Sequence, residues 1–155
     1  MNIDMEHLET IQQLKCYFAL SELVGKDVYA KYGDFAWAFF DPRLLEVLLW
    51  LREGLGVPLV CNTKALQERG LRGNLSQQTK KKTAANDWYF SAHCLGKGVD
   101  LSSGSMTAAN IRRWVRANIA SCPHPIRLEG DKSAPTWVHI DVMNITNNKL
   151  QEFNV

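Results

Sequence analysis

The sequence predicts an α+β domain, a small antiparallel sheet packed with helices, from three observations. Asp41-Pro42 and Thr107 each open a stretch whose apolar residues recur every three to four positions, the period of a helix with one buried face. Residues 126–129 and 136–142 are short β-prone runs separated by Gly130, Asp131, Ser133 and Pro135, which reads as a hairpin. Val99-Asp100-Leu101 reads as a further strand, returning after a turn at residues 95–98. Helices combined with antiparallel hairpins define the α+β class. A chain of 155 residues, 46% of them hydrophobic, can bury one sizeable core, so a single domain over residues 1–155 is expected.

Taken in order, the first 20 residues place Leu8, Ile11, Leu14 and Phe18 at helical spacing. Ser21-Glu22-Leu23-Val24 reads as a capped helical turn, after which Gly25 and Gly33 break the pattern. Asp41-Pro42 is the strongest start signal, because Asp accepts the orphan N–H groups of a first turn and Pro suits the first helical position. Leu44, Leu45, Val47, Leu48 and Leu51 follow as a broad apolar stripe that Gly54 and Gly56 close. Residues 57–61 form a short apolar run read as a strand. Residues 69–74 read as loop, and residues 75–86 are polar and basic without a period. Trp88-Tyr89-Phe90 is strand-prone and leads directly into Ser91-Ala92-His93. The helix capped by Thr107 carries Ile111, Trp114, Val115 and Ile119 on one face, until Cys122-Pro123-His124-Pro125 stops it. Trp88, Trp114 and Trp137 are expected in the core, Trp137 also being able to border a groove.

Composition narrows the function classes. Eighteen basic against sixteen acidic residues leave a net charge of +2, too little to indicate a nucleic-acid partner, and Lys80-Lys81-Lys82 reads as a solvated face. No stretch approaches the roughly 18 to 20 apolar residues of a membrane span, so no membrane insertion is expected. The start of the chain lacks a basic segment followed by an apolar one, so synthesis in the cytoplasm without a visible secretory signal is expected. Cys16, Cys61, Cys94 and Cys122 show no CxxC spacing and read as free thiols. A monomer is expected.

The residues that carry chemistry are His93, Asp100 and His139. Two imidazoles and a carboxylate are zinc donors, and three of them leave a fourth position open for water or substrate. The turn between His93 and Asp100 brings both toward one ion. On a strand, His139 and Asp141 share one face while Val138, Ile140 and Val142 share the other. Cys94 adjoins a ligand, but as a strand neighbour it would point to the opposite face. His124, between two prolines, reads as a loop residue.

Ser91-x-His93-x-x-Gly96-x-x-x-Asp100, followed by Trp137-Val138-His139-Ile140-Asp141, resembles the zinc peptidase family of D-Ala-D-Ala carboxypeptidases and phage endolysins, whose fold is shared with the hedgehog signalling domain. Position 98 is Gly where the family usually has Ala. The resemblance runs from about residue 18 to residue 142 and includes, loosely, Arg72-Gly73-Asn74. It implies a hedgehog-like fold, with His93, Asp100 and His139 as zinc ligands. It also implies hydrolysis of peptides of bacterial peptidoglycan at a bond involving D-amino acids, as in an endolysin of a phage or prophage released to the wall or carried on a virion.

Many members of that family place a Glu three residues before the last ligand, where this chain has Thr136; members with the (F/W)-V-H-x-D form lack it too. Glu129, on the facing strand of the hairpin, and Asp141, beside His139, are the two candidates for general base. Asp141 is also suited to hold the ligand ring in place. The resemblance suggests Arg72 for binding a substrate carboxylate or an oxyanion, with Arg69 competing for that role. A second reading is a catalytically inactive, zinc-stabilised module that binds peptidoglycan or a protein partner. A third is an iron oxygenase triad, although such sites usually set the first His and the carboxylate one residue apart.

Overall fold

The structure is a computed structural model that describes residues 5–155; the first four positions of the expected N-terminal helix lie outside the described residues. Among the described residues, six α-helices and four strands form an α+β fold. The helices are α1 (Met5–Leu14), α2 (Leu20–Leu23), α3 (Lys26–Tyr32), α4 (Pro42–Leu55), α5 (Gln77–Asn86) and α6 (Ala108–Asn118). The strands are β1 (Gly98–Leu101), β2 (Ile126–Glu129), β3 (Val138–Asp141) and β4 (Leu150–Phe153). Short 3-10 segments at Gly33–Phe39 and Ile119–Ser121 join α3 to α4 and follow α6. Among the described residues no helix is long and apolar enough to cross a membrane.

The two strong start signals act as their chemistry requires. Asp41 accepts the Arg43 amide at the head of α4, and Thr107 accepts the Asn110 amide at the head of α6, each satisfying a donor the helix cannot pair internally. Leu44, Leu45, Val47, Leu48 and Leu51 are all buried. Helix α1 packs on α4, α4 on α6, and α6 on β3. Helix α6 therefore lies against the sheet, with α4 and α1 packed in turn beyond it.

The strand order is β1-β3-β2-β4. β3 lies between antiparallel β1 and β2, which includes the expected hairpin of β2 with β3. β4 then adds to the far edge of β2 in parallel, so the sheet is mixed rather than purely antiparallel. The link after β3 carries the chain past the start of β2, where Asn144 donates to the Ile126 carbonyl, and β4 consequently runs in the direction of β2.

Residues 57–61 and 88–90 depart from the expected strands, and residues 75–86, read as polar and without a period, are helical over Gln77–Asn86. Residues 75–86 hold helix α5: Ser76 caps it by accepting the Thr79 amide, and Gln, Lys and Ala are good helix formers. Only Thr79 is buried along it, so no apolar period exists to be read. Trp88-Tyr89-Phe90 forms no strand, and Trp88, expected in the core, and Phe90 are 79% and 70% exposed; the outer edge of β1 is met instead by the segment before them, where Val60 bridges Ser102 and the Arg69 carbonyl accepts the Asp100 amide. Residues 57–61 contribute only an isolated bridge, Val60 to Ser102. Trp114 packs half-buried against the core.

Candidate metal centre

Strand alternation builds the site. Val99 and Leu101 of β1, Val138 and Ile140 of β3, and Ile126 and Leu128 of β2 are buried in the core. The residues between them point to the other face, which thus collects Asp100, His139, Asp141, Arg127 and Glu129. In the register Asp100 lies directly opposite His139. Leu128 lies opposite Ile140, which brings Glu129 abreast of His139. His93 arrives from the turn at residues 92–96, not from a strand.

That turn is held tightly. The His93 amide donates to Ser91 Oγ, Gly96 has φ +65°, and its carbonyl accepts the Asp41 amide at the start of α4. A Cβ at Gly96 would run into the Phe39 carbonyl. Gly98 is equally confined: a Cβ there would lie 2.8 Å from Ala92 Cβ and 3.1 Å from Asp141 Cβ. Gly98 thus occupies a position with no room for a methyl group.

His93, Asp100 and His139 each offer a donor atom, and these atoms all lie within 4.8 Å of one another. His93 Nδ1 donates to the Gly70 carbonyl at 3.0 Å, which leaves Nε2 facing Asp100 Oδ1 at 3.4 Å. His139 Nδ1 meets the same oxygen at 2.8 Å, while its Nε2 donates to Asp141 Oδ2 at 2.9 Å. Each ring therefore spends one nitrogen on an orienting partner and turns the other into the cluster, the arrangement that metal-ligating histidines show. The donor set fits a divalent ion such as zinc.

Electrostatics follow from this packing. Burial alone would hold His139 down, but the hydrogen bonds it donates to Asp100 and Asp141 outweigh that and lift the ring to about 9. Burial works against the charge of Asp100 as well, yet hydrogen bonds from His139 and His93 hold it well below the usual carboxylate range. His93 is lowered by its own burial. Burial also raises Glu129, with His139 pulling the other way.

The cluster opens into a cavity of about 760 Å³, whose wall includes Arg69, Arg72, Glu129 and Trp137. Trp137 is thus half-buried at the groove. Arg72 Nη2 is 3.8 Å from Asp100 Oδ2, and its amide donates to the His93 carbonyl; Arg69 donates instead to Ser102 Oγ. Asp141 is fully buried and takes both arms of Arg127. Cys94 sits beside Thr79, 3.2 Å from its hydroxyl, outside the cluster. His124 pairs with Glu46 of α4 at 2.6 Å.

Arg112, Arg127 and Phe153 line or support the site and were not singled out from the sequence, where only Arg112 leaves a clue. Arg112, buried on α6, donates to the carbonyls of Glu129, Ala134 and Trp137 and so fastens the loop between β2 and β3. The clue available was Arg112 itself, a cation on the apolar side of a helix next to Ile111. Comparison with known protein families, curated proteins and solved structures finds no match to the chain.

Proposed function

We propose that the chain is a zinc-dependent peptidase that hydrolyses peptides of bacterial peptidoglycan, in line with its resemblance to D-Ala-D-Ala carboxypeptidases and phage endolysins. One observation carries this reading: three zinc donors converge, with preset ring orientations, at a cavity whose wall holds a half-buried carboxylate and two arginines. A cavity of this size suits a small peptide ligand.

When bound, zinc would supply Lewis-acid polarisation of the scissile carbonyl and a water of lowered pKa. His93, Asp100 and His139 would hold the ion. The remaining work belongs to this chain's other residues. Glu129 is the proton carrier: its carboxylate, raised by burial, takes a proton from the attacking water and returns it to the leaving amine. Asp141 is excluded from that task by its partners, since both oxygens are engaged by Arg127, His139 and the Met143 amide. It orients His139 instead. Arg72 presents a guanidinium toward the substrate's carbonyl or carboxylate oxygen.

Thr136, exposed and without a carboxylate, favours the second reading, in which the site binds peptidoglycan or a protein partner without cutting. Incubating the zinc-loaded protein with muropeptides and resolving the products by mass spectrometry separates the two. Cleavage by the wild type and none by His93→Ala supports the peptidase; intact muropeptides with measurable ligand affinity would leave only the binding module.

A further inference from the structure

We infer that β4, which lies beyond residue 142 where the family resemblance ends, is a working part of the metal centre: Phe153 and Arg127 together fix Asp141 and, through it, the ring of His139. The inference rests on the proposed metal reading. Arg127 stands directly opposite Asp141 on β2 and grips it with two parallel bonds, Nε to Oδ1 at 2.8 Å and Nη2 to Oδ2 at 2.9 Å. Asp141 Oδ1 also accepts the Met143 amide and Oδ2 accepts His139 Nε2, each at 2.9 Å. A fully buried carboxylate needs such partners to remain charged. Its orientation is thereby determined by a planar fork that a lysine cannot reproduce.

Phe153 closes the same assembly from the opposite side. The Arg127 guanidinium carbon lies 4.7 Å from its ring centroid, a favourable cation–π distance. The ring of His139 meets it edge-on, with centroids 6.0 Å apart and planes at 90°. One aromatic ring thus touches both ends of the Arg127–Asp141–His139 relay. Its own place is secured by the parallel register with β2, Glu129 beside Phe153, and by the Gly130 amide donating to the Phe153 carbonyl at 2.8 Å. The relay fixes the plane of His139 so that Nδ1 faces Asp100. Arg127 and Phe153 are positioning residues, acting on the metal through His139.

The test is zinc affinity of the full chain, stripped by chelator, measured by competition with a chromophoric chelator. It is accompanied by the visible spectrum of the cobalt(II)-substituted protein at saturation. Arg127→Met and Arg127→Lys are both expected to weaken zinc binding by roughly 10- to 100-fold, as loss of an orienting partner does, and to alter the cobalt spectrum. Phe153→Leu is expected to weaken binding several-fold. In a double-mutant cycle, Arg127→Met added to Asp141→Asn is expected to cost no more than Asp141→Asn alone. Wild-type affinity in Arg127→Lys and Phe153→Leu, or losses that add in the cycle, would overturn the inference and leave the metal site standing. Failure of the wild type to bind zinc would overturn both. If Arg127→Met does not fold, Arg127→Lys and Phe153→Leu decide, since they preserve the charge and most of the apolar volume.

Discussion

His139 has a carboxylate on each ring nitrogen, Asp100 on Nδ1 and Asp141 on Nε2, and its behaviour without metal follows from that. Its folded-state value of about 9 lies above the unfolded value near 6.5. The ion pair therefore stabilises the metal-free protein fully below about pH 6.5, and that contribution is lost as pH rises through about 9. Melts in chelator are expected to fall across this interval in the wild type, and a His139→Gln variant is expected to lack the fall. Because zinc must displace the Nδ1 proton, zinc affinity is expected to strengthen with pH over the same interval. Glu129→Gln is expected to reduce turnover by roughly 100-fold or more while zinc content stays unchanged. Loss of zinc in that variant would show that Glu129 holds the site rather than moving protons. The convergence of His93, Asp100 and His139 was legible in the sequence because few residue types bind metals and the motifs that hold these three resemble those of a zinc peptidase family. Arg127 and Phe153 were not, because their role arises from neighbours across strands that no periodicity in one segment records.

At the scale of elements, the loop between β2 and β3 is built around one buried cation. Arg112 satisfies three of its carbonyls, and its Nη1 has no hydrogen-bond partner. Arg112→Met would leave those carbonyls without their donor at a cost of about 3 kcal/mol, read as a lower urea midpoint. Gly98→Ala presses a methyl group into Ala92, Asp141 and His139 and is expected to weaken zinc binding, although Ala is the usual residue at this position in the family that the sequence resembles. Helices α4 and α6 were readable because Asp41 and Thr107 act as caps and each helix has an apolar face. Helix α5 was not readable from periodicity, being polar around nearly its whole circumference. β4 was missed for a related reason: Leu150-Gln151-Glu152-Phe153 is too short and too polar to stand out, and it becomes a strand by pairing with β2. Trp88 shows the converse, a strand-prone segment left without a partner.

Across the whole molecule, the sheet separates two jobs. Its face toward α6 carries the apolar core, and its other face carries the acids, bases and histidines of the cavity. The site is therefore built largely on paired strands, and its precision depends on the register of β1 with β3. Ligand linkage connects the two faces: zinc at about 100 times its dissociation constant is expected to stabilise the folded chain by about 2.7 kcal/mol, seen as a rise in melting temperature that chelator reverses. The most direct measurement of the central claim is a zinc titration of chelator-stripped protein with muropeptide cleavage followed at each addition. The expected result is that activity returns in proportion to zinc, saturates at one equivalent per chain, and never returns in Asp100→Ala. Cleavage that persists in excess chelator, or that returns in Asp100→Ala as in the wild type, would contradict it.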